Sequence, residues 1–294
     1  MRVAAIDCGT NSIRLLIADV PGNSGAPLSD VHREMRVVRL GQGVDATGML
    51  AQEALERTFA AVDDYAELIH AHQVEKIRFV ATSATRDAGN RDVFVDGIKS
   101  RLGIEPEVVS GAEEAGLSFT GAASVLPALD DELVMVVDLG GGSTEFVVGN
   151  ADGVQAALST DMGCVRFTER YLRSDPPTAA EIAAAEAEIQ TKISAVLDTV
   201  PLDKVTKVVG VAGSITTITA QALGLATYQP EVIHAAVVPA ESIDAASTAL
   251  LSMSRAERAA LGFMHPGRVE SATSSEHDIL DGIALGAPFA GGQP

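Results

Sequence analysis

Basic residues are scarce in this chain. In 294 residues, 21 Lys and Arg stand against 40 Asp and Glu, a formal net charge of -19 at pH 7. The deficit is even, with 12 basic against 23 acidic residues in positions 1–150 and 9 against 17 in the remainder. Neither half is a basic module, which opposes a general surface for nucleic acid or an anionic membrane. Any polyanion must be held locally. Cysteine is nearly missing too: Cys8 and Cys164 sit among loop glycines without the Cys/His spacing of a metal site, the pattern of a reduced, cytoplasmic protein. Long apolar runs are absent. The N-terminal run meets Asp7 before it reaches the length of a signal peptide, and nothing approaches the ~20 apolar residues of a membrane span. What remains is a chain with 47% hydrophobic residues, enough for a real core, and longer than the ~100–200 residues of one domain.

Strand-like and helix-like patterns alternate from the start. Val3 to Ile6 and Ile13 to Val20 are β-branched runs with a turn between them, and Arg36 to Leu40 reads as a third strand. Leu50, Ala54, Leu55, Phe59, Val62, Ala66 and Ile69 recur at three and four, which predicts an amphipathic helix over 50–72. Ile77 to Ala81 reads as a strand, Arg86 to Arg101 as a helix stopped by Gly103, and Pro106 to Val109 as a strand. Leu126 to Glu132, with Pro127 and three acidic residues, resembles a linker, so the domain boundary is expected near residue 125. Strands follow at 134–138, 144–148 and 154–159. A helix is expected over 178–200 after Pro176-Pro177, then a strand over 205–211 and a helix over 214–223.

The stretch VMVVDLGGGSTEFVVG, residues 134–149, is a strand, an Asp at its end, three glycines and a second strand. No Gly-Lys-Ser/Thr and no helix follow, so a Walker loop and a dinucleotide fingerprint are both excluded. Shifted by 131 positions, Val134, Asp138, Gly140 and Ser143 fall on Val3, Asp7, Gly9 and Ser12. The shared layout suggests two halves that begin alike. Either copy alone can be a plain hairpin whose Asp bonds turn amides. Gly140, Gly141 and Gly142 would let backbone N–H groups converge on an anion, with Ser143 and Thr144 as hydroxyl donors; in the first copy Thr10, Asn11 and Ser12 offer side-chain donors. Facing each other, the hairpins would clamp a phosphate. Asp7 and Asp138 would hold a divalent cation such as Mg²⁺ over it, and Glu145, across the turn from Asp138, is a further oxygen ligand, direct or through water.

IDCGTNSIRLLIADV, TSATRD, SGAEEA, VVDLGGGSTEFVVG, DMGCVRF, VAGSITTITA and EHDILDGIAL, in this order, resemble the Ppx/GppA phosphatases over nearly the whole chain. The resemblance implies an α/β fold of two ribonuclease-H-like domains, 1–125 and 126–294, of the actin, Hsp70 and sugar-kinase superfold, with a central cleft and a helix at about 277–290 that returns to the first domain. It implies an exopolyphosphatase that releases orthophosphate from the end of inorganic polyphosphate with Mg²⁺ or another divalent cation. The alternative is a pppGpp 5′-phosphohydrolase; a kinase or an actin-like nucleotide-binding protein is the more distant one. A homodimer is the family-based expectation. Because the chain stops soon after Leu285, the core is expected to lack an appended C-terminal domain, which favours short chains or limited processivity.

Ser110 at a helix N-cap would put Glu113 in a capping box, while Glu114 points about 100° further round. Alone, Glu114 reads as a carboxylate settled at a helix N-terminus. The resemblance implies that it is the general base that activates the attacking water. Arg86, expected to open a helix, is a candidate phosphate ligand or an exposed ion-pair partner of Asp87 or Asp92; Arg14 is a weaker candidate because of its strand position. Gly213 and Ser214, in a loop that resembles the superfold's adenosine loop, would contact outer phosphates or pack, and Arg268 is another candidate contact. His277 reads as a cap or hinge residue. HREMRVVRL, residues 32–40, is a solvated strand edge or a path for long polyphosphate. Gly116 stands where many relatives carry Arg, which bears on substrate preference.

Overall fold

The computed structural model describes residues 1–22, 28–126 and 132–271. They divide into two compact units, Met1–Ser110 and Gly111 onward. In the first, β1 (Arg2–Cys8), β2 (Ser12–Asp19) and β3 (Ser29–Val37) form an antiparallel meander. After α1 (Val44–Thr47) and α2 (Gln52–Ala71) come β4 (Lys76–Ala81), α3 (Ser83–Asp87), α4 (Arg91–Leu102) and β5 (Glu107–Val108). β4 lies parallel to β1, and the sheet order is β3-β2-β1-β4-β5. A parallel return needs a crossover, and α2 supplies it. Its apolar stripe buries Ala54, Leu55, Val62 and Ile69 as the periodicity predicts, and the Tyr65 hydroxyl donates to the Ile13 carbonyl at 3.1 Å.

Two expectations change here. The third strand begins at Ser29, not Arg36, and the chain leaves it at Val38 because the Val38 and Arg39 amides donate to the Asn11 carbonyl at 3.0 and 2.9 Å. The helix expected over 86–101 is two helices. Gly89 and Asn90 interrupt it, and the Asn90 side chain bonds both backbone groups of Leu50 at 2.8 and 3.0 Å. Arg86 therefore lies in the last turn of α3 and opens no helix.

The second unit contains α5 (Gly111–Ala123), β6 (Leu133–Leu139), β7 (Thr144–Asn150), β8 (Gly153–Thr160), α6 (Cys164–Tyr171), α7 (Ala179–Thr199), β9 (Val205–Val211), α8 (Ala212–Ala222), α9 (Pro230–Ile233), α10 (Ala240–Ser252) and α11 (Arg255–Ala259). The sheet order is β8-β7-β6-β9, again an antiparallel meander with a parallel strand beside its first member. Each unit thus has the ribonuclease-H-like arrangement. The duplication keeps its offset: β6 begins and ends 133 − 2 = 139 − 8 = 131 residues after β1. Both turns close alike, with Gly9 N–H to Ser12 O and Gly140 N–H to Ser143 O each 3.0 Å. At the same offset, Ala81 at the end of β4 and Ser83 and Thr85 beyond it fall on Ala212, Ser214 and Thr216 beyond β9.

α5 precedes residue 125 in sequence yet packs on the second sheet. Ala115, Phe119 and Ala122 share a buried cluster with Val134, Val136 and Val147. On the opposite face, Met135, Val137 and Leu139 meet Cys164 and Phe167 of α6 and Ile189 and Ile193 of α7. Buried on both faces, β6 reads as a continuous apolar run. No helix among the described residues is long and apolar enough to cross a membrane. Most of the expected linker, EHDILDGIAL with His277, and the helix at about 277–290 lie outside the described residues. Phe119 is 3% exposed, so Phe119→Ala should leave a cavity and cost the second unit about 3–5 kcal/mol, read as a lower denaturant midpoint.

Candidate active site

The two repeated turns share one electrical design. In the GGGST turn, the α6 amides of Cys164, Val165 and Arg166 donate to the carbonyls of Gly140 and Gly141 at 3.0, 2.9 and 3.1 Å, and Arg166 Nε donates to the Gly142 carbonyl at 2.8 Å. Gly163 permits this approach, since a Cβ there would lie 2.4 Å from the Gly141 backbone. In the CGTNS turn, the Gly41 amide takes the Thr10 carbonyl at 2.8 Å, and Val38 and Arg39 take that of Asn11. A Cβ on Gly41 would strike Thr10 Cγ2 at 2.2 Å. With the carbonyls turned inward, the backbone edge left to receive a ligand is the N–H edge, which suits an anion.

The predicted hydroxyls are placed accordingly. Thr10, Asn11 and Ser12 are buried, as are Ser143 and Thr144. Thr10 Oγ1 and Ser83 Oγ share a 2.8 Å hydrogen bond, which joins TSATRD to the first turn. Asn11 is 5% exposed, and neither its Oδ1 nor its Nδ2 has a partner among the described residues. A buried amide is normally satisfied, so this side chain fits a ligand contact. Thr144 is engaged otherwise: its hydroxyl donates to the Met162 carbonyl.

The carboxylates gather on the second unit. Asp138 and Glu145 are direct cross-strand partners on β6 and β7. α5 adds Glu114, which is half-buried, while Glu113 beside it is exposed. Glu145 is 1% exposed, with Ser159 Oγ donating to its Oε1 at 2.7 Å. Burial first, then the negative charges of Glu114 and Asp138, push its carboxyl up to about 8, against the opposing hydrogen bonds from Ser159 and Ser143. Among the described residues no three His, Cys, Asp or Glu side chains form a ready-made metal cage. Mg²⁺ needs none, because it commonly takes one or two carboxylates and completes its shell with water and substrate phosphate. Mutually repelling carboxylates beside this turn fit such a cation. In the first unit, Asp7 Oδ2 accepts from Arg14 Nη1 at 2.9 Å across the strands, so the matching aspartate already has a cationic neighbour.

Arg86 Nη1 donates to the Val109 carbonyl at 2.9 Å. Gly213 follows Ala212, whose φ is 77°, and a Cβ on Gly213 would lie 2.0 Å from the Arg268 guanidinium. That contact brings Arg268, Gly213 and the buried Ser214 together. The basic strand is less basic than its sequence. Arg33 pairs with Asp30 at 3.0 Å, and Arg36 pairs with Glu34 at 2.6 Å and with Asp64, its guanidinium over the Tyr65 ring.

The model of the Ppx/GppA phosphatase family matches residues 16–276. The chain belongs to that family. Exopolyphosphatase 2 of Mycobacterium tuberculosis is 49% identical over 313 aligned residues, which take in 97% of this chain and 98% of that protein. The crystal structure of an exopolyphosphatase-like protein has a TM-score of 0.91 at 43% identity, covering 98% of this chain and 90% of that one. The Ppx/GppA family member of Aquifex aeolicus has a TM-score of 0.77 at 30% identity, covering 97% and 90%.

Two polar residues of this Ppx/GppA chain escaped the sequence reading. Ser159 holds Glu145, and Ser118 of α5 donates from its hydroxyl to Asp138 Oδ2. Single serines without a glycine-rich or acidic motif carry no pattern that singles them out. The raised Glu145 carboxyl has a pH consequence. From its ordinary value of 4.5 up to about 8, the unfolded chain has released this proton and the fold retains it, so its contribution to stability declines as pH rises. In protein freed of divalent ions by a chelator, the melting temperature of Glu145→Gln relative to the parent should increase across that interval.

Proposed function

We propose that the chain is an exopolyphosphatase, hydrolysing the terminal phosphoanhydride of inorganic polyphosphate to release orthophosphate. The observation that carries this reading is Glu114 beside Asp138 and Glu145 at the GGGST turn. The near full-length likeness to a protein named exopolyphosphatase supports the choice of substrate. Glu114 is the general base: its carboxylate orients a water and takes its proton as the oxygen attacks the terminal phosphorus. The N–H groups of Gly141, Gly142 and Ser143 hold phosphate oxygens, since that of Gly140 closes the turn on the Ser143 carbonyl, and in the first unit the side chains of Thr10, Asn11 and Ser12 are the corresponding donors. Arg86, Gly213, Ser214 and Arg268 are the further phosphate contacts, and Thr144 closes the turn from within.

Asp138 and Glu145 would hold the divalent cation, with Asp7 the first unit's counterpart. When bound, Mg²⁺ supplies positive charge to the phosphate oxygens, on which the transition state spreads its charge. Asp138 and Glu145 shape that position, and Ser143 and Ser159 fix the Glu145 carboxyl. Cys8 and Cys164 are buried and outside any disulfide among the described residues, the state that a reducing compartment preserves, and we assign the protein to the cytoplasm as a homodimer.

The test is orthophosphate release from polyphosphates of several lengths, from ATP and from pppGpp, with Mg²⁺ and after its removal by chelation. Mg²⁺-dependent release from polyphosphate is expected, with kcat reduced by about 10²–10⁴ in Glu114→Gln. Release from pppGpp alone would transfer the reading to a pppGpp 5′-phosphohydrolase. Full activity of Glu114→Gln would overturn the assignment of the base.

A further inference from the structure

Three contacts fix α5 on the second sheet. At its start, Gly111 lies so close to β8 that a Cβ would meet Ser159 at 2.6 Å. About two turns further on, Phe119 covers Gly149 of β7, where a Cβ would meet the ring at 2.5 Å. Between them, the Ser118 hydroxyl donates to Asp138 Oδ2. The first and last are packing contacts, which settle the helix without fixing the rotation of any carboxylate. Only the middle one reaches an acid.

We propose that Ser118 is a positioning residue that sets α5, and Glu114 with it, against Asp138. Ser118 is four residues after Glu114, so both project from one face of the helix about one turn apart. One end of the contact is on the helix that carries the base, and the other is on a carboxylate of the cation site. Ser118 thereby selects the rotamer of Asp138 and the height of Glu114 above it in a single bond. Ser159 does the equivalent for Glu145 from β8, donating to Oε1 while it packs against Gly111. Each carboxylate thus has one oxygen held by a serine that touches or belongs to α5. Phe119 with Ala115 and Ala122 supplies the buried apolar contact of the helix, so the fold does not depend on the Ser118 hydroxyl.

The proposal rests on Glu114 being the base, and its test is arranged to separate the two. Ser118→Ala and Ser118→Thr are compared with Glu114→Gln in steady-state kinetics on polyphosphate and in Mn²⁺ binding followed by electron paramagnetic resonance, with melting curves as a check on folding. In Ser118→Ala, kcat should fall by about 10- to 100-fold and Mn²⁺ affinity by about tenfold, with KM for polyphosphate and the melting temperature at their parent values. Ser118→Thr, which retains the hydroxyl, should recover both losses. A Ser118→Ala enzyme with parent kcat and Mn²⁺ affinity, beside an inactive Glu114→Gln enzyme, overturns this proposal alone. So does a loss that Ser118→Thr leaves unrepaired. An active Glu114→Gln enzyme overturns the reading of the base, and this proposal with it.

Discussion

A peptide turn has two faces, and this protein has committed one of them. The carbonyls of Gly140, Gly141 and Gly142 are taken by the start of α6, and those of Thr10 and Asn11 by the segment that follows β3. Once the oxygens are occupied from inside, the edge that can meet a ligand is all donor. That polarity would let a chain of charge -19 attract a polyanion without a basic surface, through oriented amides and hydroxyls at each turn. It also explains two glycines far from the turns. Gly41 and Gly163 permit the inward approach, because a side chain at either would collide with the turn whose carbonyls it must reach.

The acids follow from the same geometry. Antiparallel pairing across the GGGST turn makes Asp138 and Glu145 neighbours, and α5 brings Glu114 within electrostatic reach of them. A cluster of this kind raises the carboxyl of its most buried member unless positive charge is present. A cation held by these carboxylates would be hard and oxygen-seeking, as Mg²⁺ is.

Much of this was legible in the sequence because it is repeated. The Asp-x-Gly turn between apolar runs occurs twice, 131 residues apart, and both strands and turn closures obey that spacing. Long periodic helices such as α2 and α7 were legible for the usual reason. What escaped depends on particular contacts. α5 joins the second unit through Ala115, Phe119 and Ala122, a stripe too short to announce its partner. Gly89-Asn90 splits a helix whose flanking pattern looks continuous, since the Asn90 side chain is taken by Leu50. The arginines of β3 resemble a polyphosphate path until Asp30, Glu34 and Asp64 are seen against them, and Asp64 comes from a distant helix. Ser118 and Ser159 show their roles only through the carboxylates that they touch.

The central claim is that the donor edge of the GGGST turn receives phosphate, and the amides themselves can report it. Backbone ¹H–¹⁵N shifts of Gly141, Gly142 and Ser143 are followed as tripolyphosphate is titrated into the Glu114→Gln protein with Mg²⁺ present. The account predicts saturable downfield movement of these three resonances, as N–H groups that gain charged acceptors show. Saturable binding that leaves all three unmoved, while resonances elsewhere shift, would contradict it.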